Sequence, residues 1–200
     1  MIPCIVDKQM RRMLNEFAKD IRITQTLRPS DAEWLSNGLV EIFGGCYYNF
    51  PRKRSEFSMV ERKAEMESDI AYSQWMSNKS HVMDLDKDGI DGEELSAGLS
   101  LLVATYNEIR KNKFEGEYTF YMSSDVGSYD EHGEPEFYPN CVIRFYRDYG
   151  ESMVDVSLEN LNREDTLGFI CFKVGPDDRQ QINAIEQIDG QWYLTYREVA

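Results

Sequence analysis

The sequence predicts an α+β fold, with an N-terminal helical module over residues 1–113 followed by a C-terminal antiparallel β-sheet of 5–6 strands over residues 114–200. Apolar residues recur at three- and four-residue spacing as far as about Lys113, the signature of amphipathic helices. From Tyr118 the period changes to two, with aromatic and β-branched runs bounded by Gly, Asp, Asn and Pro. The chain has 200 residues, 42% hydrophobic and 12% aromatic, enough for one ordinary domain or two small ones whose core needs no disulfide.

The first helix is read between Asp7 and Ile21, where Met10, Met13, Leu14, Phe17 and Ile21 share one face. The capping box Ser30-Asp31-Ala32-Glu33 starts a second, whose stripe of Trp34, Leu35, Leu39, Ile42 and Phe43 runs to Gly44-Gly45. A turn-rich connector, Cys46 to Arg54, ends in the basic cluster Pro51-Arg52-Lys53-Arg54, read as a solvated link. Ser58-Met59-Val60-Glu61 repeats the capping-box spacing and opens a third helix reaching about Ser77. The fourth, over 93–113, aligns Leu95, Leu99, Leu102, Val103, Tyr106 and Ile109, with Arg110, Lys111 and Lys113 complementing its macrodipole. Seven of the nine methionines precede Asp84 and are read as filling the helical core.

Strands are expected at Glu117 to Ser123, Cys141 to Tyr149, Met153 to Glu159, Phe169 to Val174, Asn183 to Ile188 and Gln191 to Arg197. Asp189-Gly190 between the last two is a type I′ hairpin signal. Val154, Val156 and Leu158 alternate with polar residues, which implies a sheet wet on one face. The sheet is expected to pack on helix 93–113 as one unit with it, and a helix leading into meandering strands is similar to cystatin-like and nuclear-transport-factor-like folds. Ser123 to Asn140 reads as a long acidic loop.

The most informative segment lies between the third and fourth helices. Asp84, Asp86 and Asp88 alternate and Gly89 follows, a spacing that lets three carboxylates converge on one hard cation while glycine makes the bend. With Ile90 as the aliphatic residue and Glu94 as the closing carboxylate, the loop resembles an EF-hand calcium loop shortened by one residue. That resemblance implies Asp84, Asp86, Asp88 and Glu94 as direct calcium ligands, the Ile90 carbonyl as a further one, and Asp91 acting directly or through water. The offered donors are hard oxygens, with no nearby Cys and only His81 for nitrogen, so Ca²⁺ is favoured over zinc or copper, and magnesium is the weaker competitor. A degenerate partner hand over residues 7–43, whose loop from Asp20 to Ser30 has lost its acids, would complete the EF-hand-like module.

Charge narrows the function. Lys and Arg number 22 against 36 Asp and Glu, a net charge of −14, and the excess acid lies in residues 65–200. Direct nucleic-acid binding and anionic membrane surfaces are disfavoured, and a basic protein partner is favoured. No run approaches membrane-spanning length and no leader is read at the start, so a cytoplasmic protein is expected. The four cysteines are dispersed and read as buried free thiols. The sequence has no GxSxG, P-loop, dinucleotide fingerprint or HExxH motif. The reading is therefore a non-enzymatic calcium-binding interaction protein, with an acidic inhibitor of the immunity-protein type, neutralising a basic partner, as the alternative.

Overall fold

The structure is a computed structural model; it describes residues 1–42, 44–49, 70–82, 90–132, 135–137, 139–149, 167–178 and 180–198. Among them, β1 (Ile2–Val6), β4 (Ser80–His81), β5 (Glu117–Asp125), β8 (Asn140–Asp148), β9 (Leu167–Val174), β10 (Ala184–Ile188) and β11 (Gln191–Thr195) form a seven-stranded sheet. Its order is β10-β11-β1-β9-β5-β8-β4, and every pairing is antiparallel. Two hairpins, β2 (Leu39–Ile42) with β3 (Gly45–Tyr48) and β6 (Ser128–Tyr129) with β7 (Pro135–Phe137), stand beside it. The described helices are α1 (Lys8–Glu16), α2 (Pro29–Leu35), α3 (Ile70–Ser77) and α4 (Gly92–Asn112).

This architecture corrects the expected fold class. The chain is mostly β, built on a seven-stranded antiparallel sheet, and does not place a helical module ahead of a sheet of 5–6 strands. Strand β1 buries Ile2, Cys4 and Val6 while Pro3 and Ile5 face outward, and it lies between β11 and β9. The first six residues thus complete a sheet whose other strands follow Ser80. The second expected helix also gives way. It ends at Leu35, Gly38 turns the chain at φ +70°, and Leu39 and Ile42, which fit the helical stripe by spacing, belong to β2.

Strand β5 carries the core. Tyr118, Phe120, Met122 and Ser124 face α4, with Phe120 stacked on Phe172 at 4.9 Å between ring centres and edge-on to Tyr106 at 6.2 Å. A Cβ on Gly98 would stand 2.5 Å from Met122 Sδ and 3.0 Å from Cys141 Sγ, so glycine is what lets α4 lie so close to the sheet. On the opposite face, Tyr121 packs with Phe169, Cys171 and Trp75 of α3. Helix α4 ends with Lys113 in the left-handed conformation, where Phe114 N–H reaches back to the Ile109 carbonyl. Asp189 and Gly190 both adopt positive φ, the geometry their type I′ turn requires.

Two buried amides, Gln74 of α3 and Asn78 just past its end, join the hairpin to the sheet. Gln74 Oε1 accepts from Cys46 N–H at 2.8 Å and from Arg147 N–H at 3.0 Å. One turn later, Asn78 Oδ1 accepts from Tyr48 N–H at 3.1 Å, and its Nδ2 donates to the Cys46 and Phe145 carbonyls at 2.8 and 3.1 Å. The i, i+4 spacing matches the period of alternate strand residues closely enough for one helix to serve both strands, where β4 no longer covers the edge of β8.

Asp7 ties β1, α1 and β9 together. Its Oδ1 accepts from Met10 N–H at 2.7 Å, capping α1, and from Phe169 N–H at 2.9 Å. Burial pushes its pKa above the ordinary aspartate value, and the two hydrogen bonds lower it without cancelling that rise. A raised folded pKa means that this carboxyl stabilises the fold below the unfolded pKa and that the contribution is lost as pH rises through the folded value. Asp7→Asn keeps the accepting oxygen and removes the buried charge. The variant is expected to match or exceed the parent in melting temperature at pH 7, with the difference shrinking toward pH 3; a large loss at pH 7 would contradict this.

The expected strand at Met153 to Glu159, the helix start at Ser58 and the cluster Pro51-Arg52-Lys53-Arg54 lie outside the described residues. All four cysteines are buried free thiols, and burial pushes Cys4, Cys46 and Cys141 up to about 12 and Cys171 to about 11, which leaves them protonated and unreactive at neutral pH.

Candidate functional site

Asp84, Asp86 and Asp88 lie outside the described residues; the structure places what flanks them on both sides. On the entrance side, Val82 follows β4, is buried, and donates its N–H to the Cys141 carbonyl at 2.9 Å. On the exit side, Ile90 packs in the main core and Asp91 is the N-cap of α4. Asp91 Oδ1 accepts from Glu93 N–H at 2.8 Å and Glu94 N–H at 3.0 Å. The helix thus starts where the sequence expects an exiting helix to start, and the acidic turn joins the end of β4 to the buried beginning of α4.

Arg28 spans both ends of that turn. Its Nη2 donates to the Val82 carbonyl, while Nη1 donates to Glu94 Oε1 at 3.1 Å and Oε2 at 3.3 Å. Nε donates to Asp31 Oδ2 at 2.6 Å, with Nη2 near Oδ1 at 3.4 Å. Glu94 is 0% and Asp31 2% exposed, whereas the Arg28 side chain is 37% exposed. Burial works against the guanidinium charge, yet the hydrogen bond and charge of Asp31, then those of Glu94, outweigh it and hold the pKa above the ordinary arginine value. The planar fork meets two carboxylates and a carbonyl together, a geometry that lysine cannot reproduce.

The segment that supplies Arg28 is the loop the sequence reads as the ligand-free half of a paired module. It runs along α4, with Arg22 N–H donating to Ser96 Oγ and Thr24 N–H to Ser100 Oγ, both at 2.9 Å. A Cβ on Gly92 would lie 2.7 Å from Asp20 Cβ, so the start of α4 is pressed against the end of this loop's approach. Sequence reasoning named Ile90, Asp91 and Glu94 but passed over Arg28 and Asp31 as partners. The signal was present only as an Arg in a loop stripped of acids, beside the capping box that contains Asp31.

Of the carboxylates described at this point, Asp91 serves as the cap of α4 and Glu94 is paired with Arg28. Among the described residues, no three His, Cys, Asp or Glu side chains converge as a metal-holding group. A cleft of about 450 Å³ at the other end of α4 is lined by Tyr106, Phe114, Tyr118 and Asp178 among others. Its polar groups serve the fold: Tyr106 Oη donates to the Gln180 carbonyl at 2.9 Å, and Tyr118 Oη accepts from Arg147 at 2.7 and 3.0 Å.

No family model, curated protein or solved structure matches this chain. Among the described residues, no helix is long and apolar enough to cross a membrane.

Proposed function

We propose that this chain is a non-enzymatic calcium-binding interaction protein, in which calcium held by the turn 84–94 clamps β4 to α4. Asp84, Asp86 and Asp88 bring the cation to the turn, with the Ile90 carbonyl, Asp91 and Glu94 on its exit side. The observation that carries this reading is the cluster at the turn's two ends. Among the described residues, two buried carboxylates, Asp31 and Glu94, gather on the Arg28 guanidinium, and three more aspartates stand close by in sequence. Buried negative charge is costly without a counter-cation, and a divalent ion supplies one in oxygen coordination.

A single turn fixed at both ends favours a structural clamp over a sensor, because sensing exploits a coupled pair of helices that opens. The acidic balance of residues 65–200 supports a basic protein as partner. Calcium is expected to raise the melting temperature of the parent chain, and alanine at Asp84 and Asp88 is expected to abolish that rise. An undiminished rise in the double variant would overturn the ligand assignment.

A further inference from the structure

We infer that the cleft where β1 parts from β11 binds a small amphipathic carboxylate, an acid with an apolar body of the kind a medium-chain fatty acid carries. The strand pairing creates the cleft. Strand β1 pairs with β11 at Ile2 and Pro3 and with β9 from Cys4 to Val6, so the ladder to β11 stops as the ladder to β9 begins. Gln191, the first residue of β11, bridges the backbones there: its Nε2 donates to the Cys4 carbonyl at 2.5 Å and to the Trp192 carbonyl at 3.2 Å. Beside this bridge a cleft of about 390 Å³ stays open. Small-molecule sites span about 300–1,000 Å³, so the space suits a compact ligand.

Three features choose the ligand. The lining is largely apolar: Val6, Phe172 and Trp192 are core side chains, while Pro3 and Ile5 are exposed, so an apolar body removes hydrocarbon surface from water. Two cations line the same cleft, Arg11 of α1 and Lys173 of β9, in a chain of net charge −14. Lys173 already pairs with Asp148 at 2.7 Å, and among the described residues no carboxylate pairs with Arg11, which leaves that guanidinium for the acid. Trp192 is 5% exposed, and its Nε1–H meets no acceptor among the described residues. A buried indole N–H ordinarily finds an acceptor, and an oxygen of the ligand supplies one. A neutral apolar molecule would leave Arg11 unused, and an inorganic anion would leave Ile5 uncovered.

The test is titration of the ¹⁵N-labelled full chain with octanoate, followed through the indole N–H signals of its three tryptophans, with octanol and acetate as controls. Chelator is present throughout, which keeps the result independent of the calcium reading. Trp192→Phe assigns the Trp192 signal by its loss. Octanoate is expected to move that signal saturably and to leave those of Trp34 and Trp75 in place. Acetate, which lacks the apolar body, is expected to move nothing at the same concentrations. Arg11→Gln, an exposed substitution, is expected to weaken octanoate about three- to fivefold, the scale of an exposed ion pair, and to leave octanol within about twofold. Ile5→Ser is expected to weaken both. A Trp192 signal that stays in place at millimolar octanoate overturns the inference. Equal affinity for octanol and octanoate, or an unchanged octanoate affinity in Arg11→Gln, overturns the assignment of a carboxylate. Shifts spread over all three tryptophans mark detergent-like binding and overturn the site.

Discussion

Asn78→Ala is expected to destabilise the chain by about 3–5 kcal/mol, because one truncation leaves three buried backbone groups, Tyr48 N–H and the Cys46 and Phe145 carbonyls, without the partner that Asn78 supplies. Each unmet group costs about 1–3 kcal/mol, and part of that is recovered where the backbone relaxes. Total stability for a domain is only about 5–15 kcal/mol, so the loss takes a large share of it. Asn78→Asp is expected to be worse than its near-identical shape suggests, since an acceptor would then face two carbonyls. Gln74→Ala attacks the same joint one turn earlier, where Gln74 serves Cys46 and Arg147 N–H and the Arg147 carbonyl. Urea denaturation monitored by tryptophan fluorescence checks all three. A cost below 1 kcal/mol for Asn78→Ala would show that the amide bridge is not what attaches β3 to the sheet.

Arg28→Met is the second large effect, expected to cost about 3–5 kcal/mol. Removing one side of an ion pair leaves the other charge less compensated, and here two buried carboxylates lose the guanidinium they share. The methionine keeps the aliphatic volume, so packing alone does not explain the loss. Calcium is expected to narrow the deficit, by replacing the guanidinium with another cation. Melting curves with chelator and with calcium check this. A deficit that is independent of calcium would assign Arg28 a packing role only.

Sequence reading reached some elements because local chemistry decides them. Helix α4 follows from the spacing of Leu95, Leu99, Leu102, Val103, Tyr106 and Ile109 with an Asp at its cap, and the structure places it at Gly92–Asn112 against an expected 93–113. The hairpin at Asp189-Gly190 follows from two residues that tolerate positive φ. Strand β1 escaped because five residues containing a proline carry little signal, and its place between β11 and β9 depends on residues nearly the whole chain away. Leu39 and Ile42 fit the helical period by their spacing from Leu35; Gly38 at positive φ decides against the helix, and β3 supplies the pairing.

The candidate site divides along the same line. The exit helix is legible from local residues, while Asp84, Asp86 and Asp88 lie outside the described residues. The ion pair on Glu94 comes from Arg28, 66 residues away, and no spacing rule links them. What the sequence treats as a hand without ligands is, in the structure, the segment that delivers the Arg28 guanidinium to Glu94 at the start of α4.

The most direct test of the account is calcium calorimetry on chelator-stripped parent chain, with magnesium as control and thermal melting in parallel. The account predicts saturable one-site calcium binding, a higher melting temperature and a weaker response to magnesium. No heat and no thermal shift at millimolar calcium would contradict it.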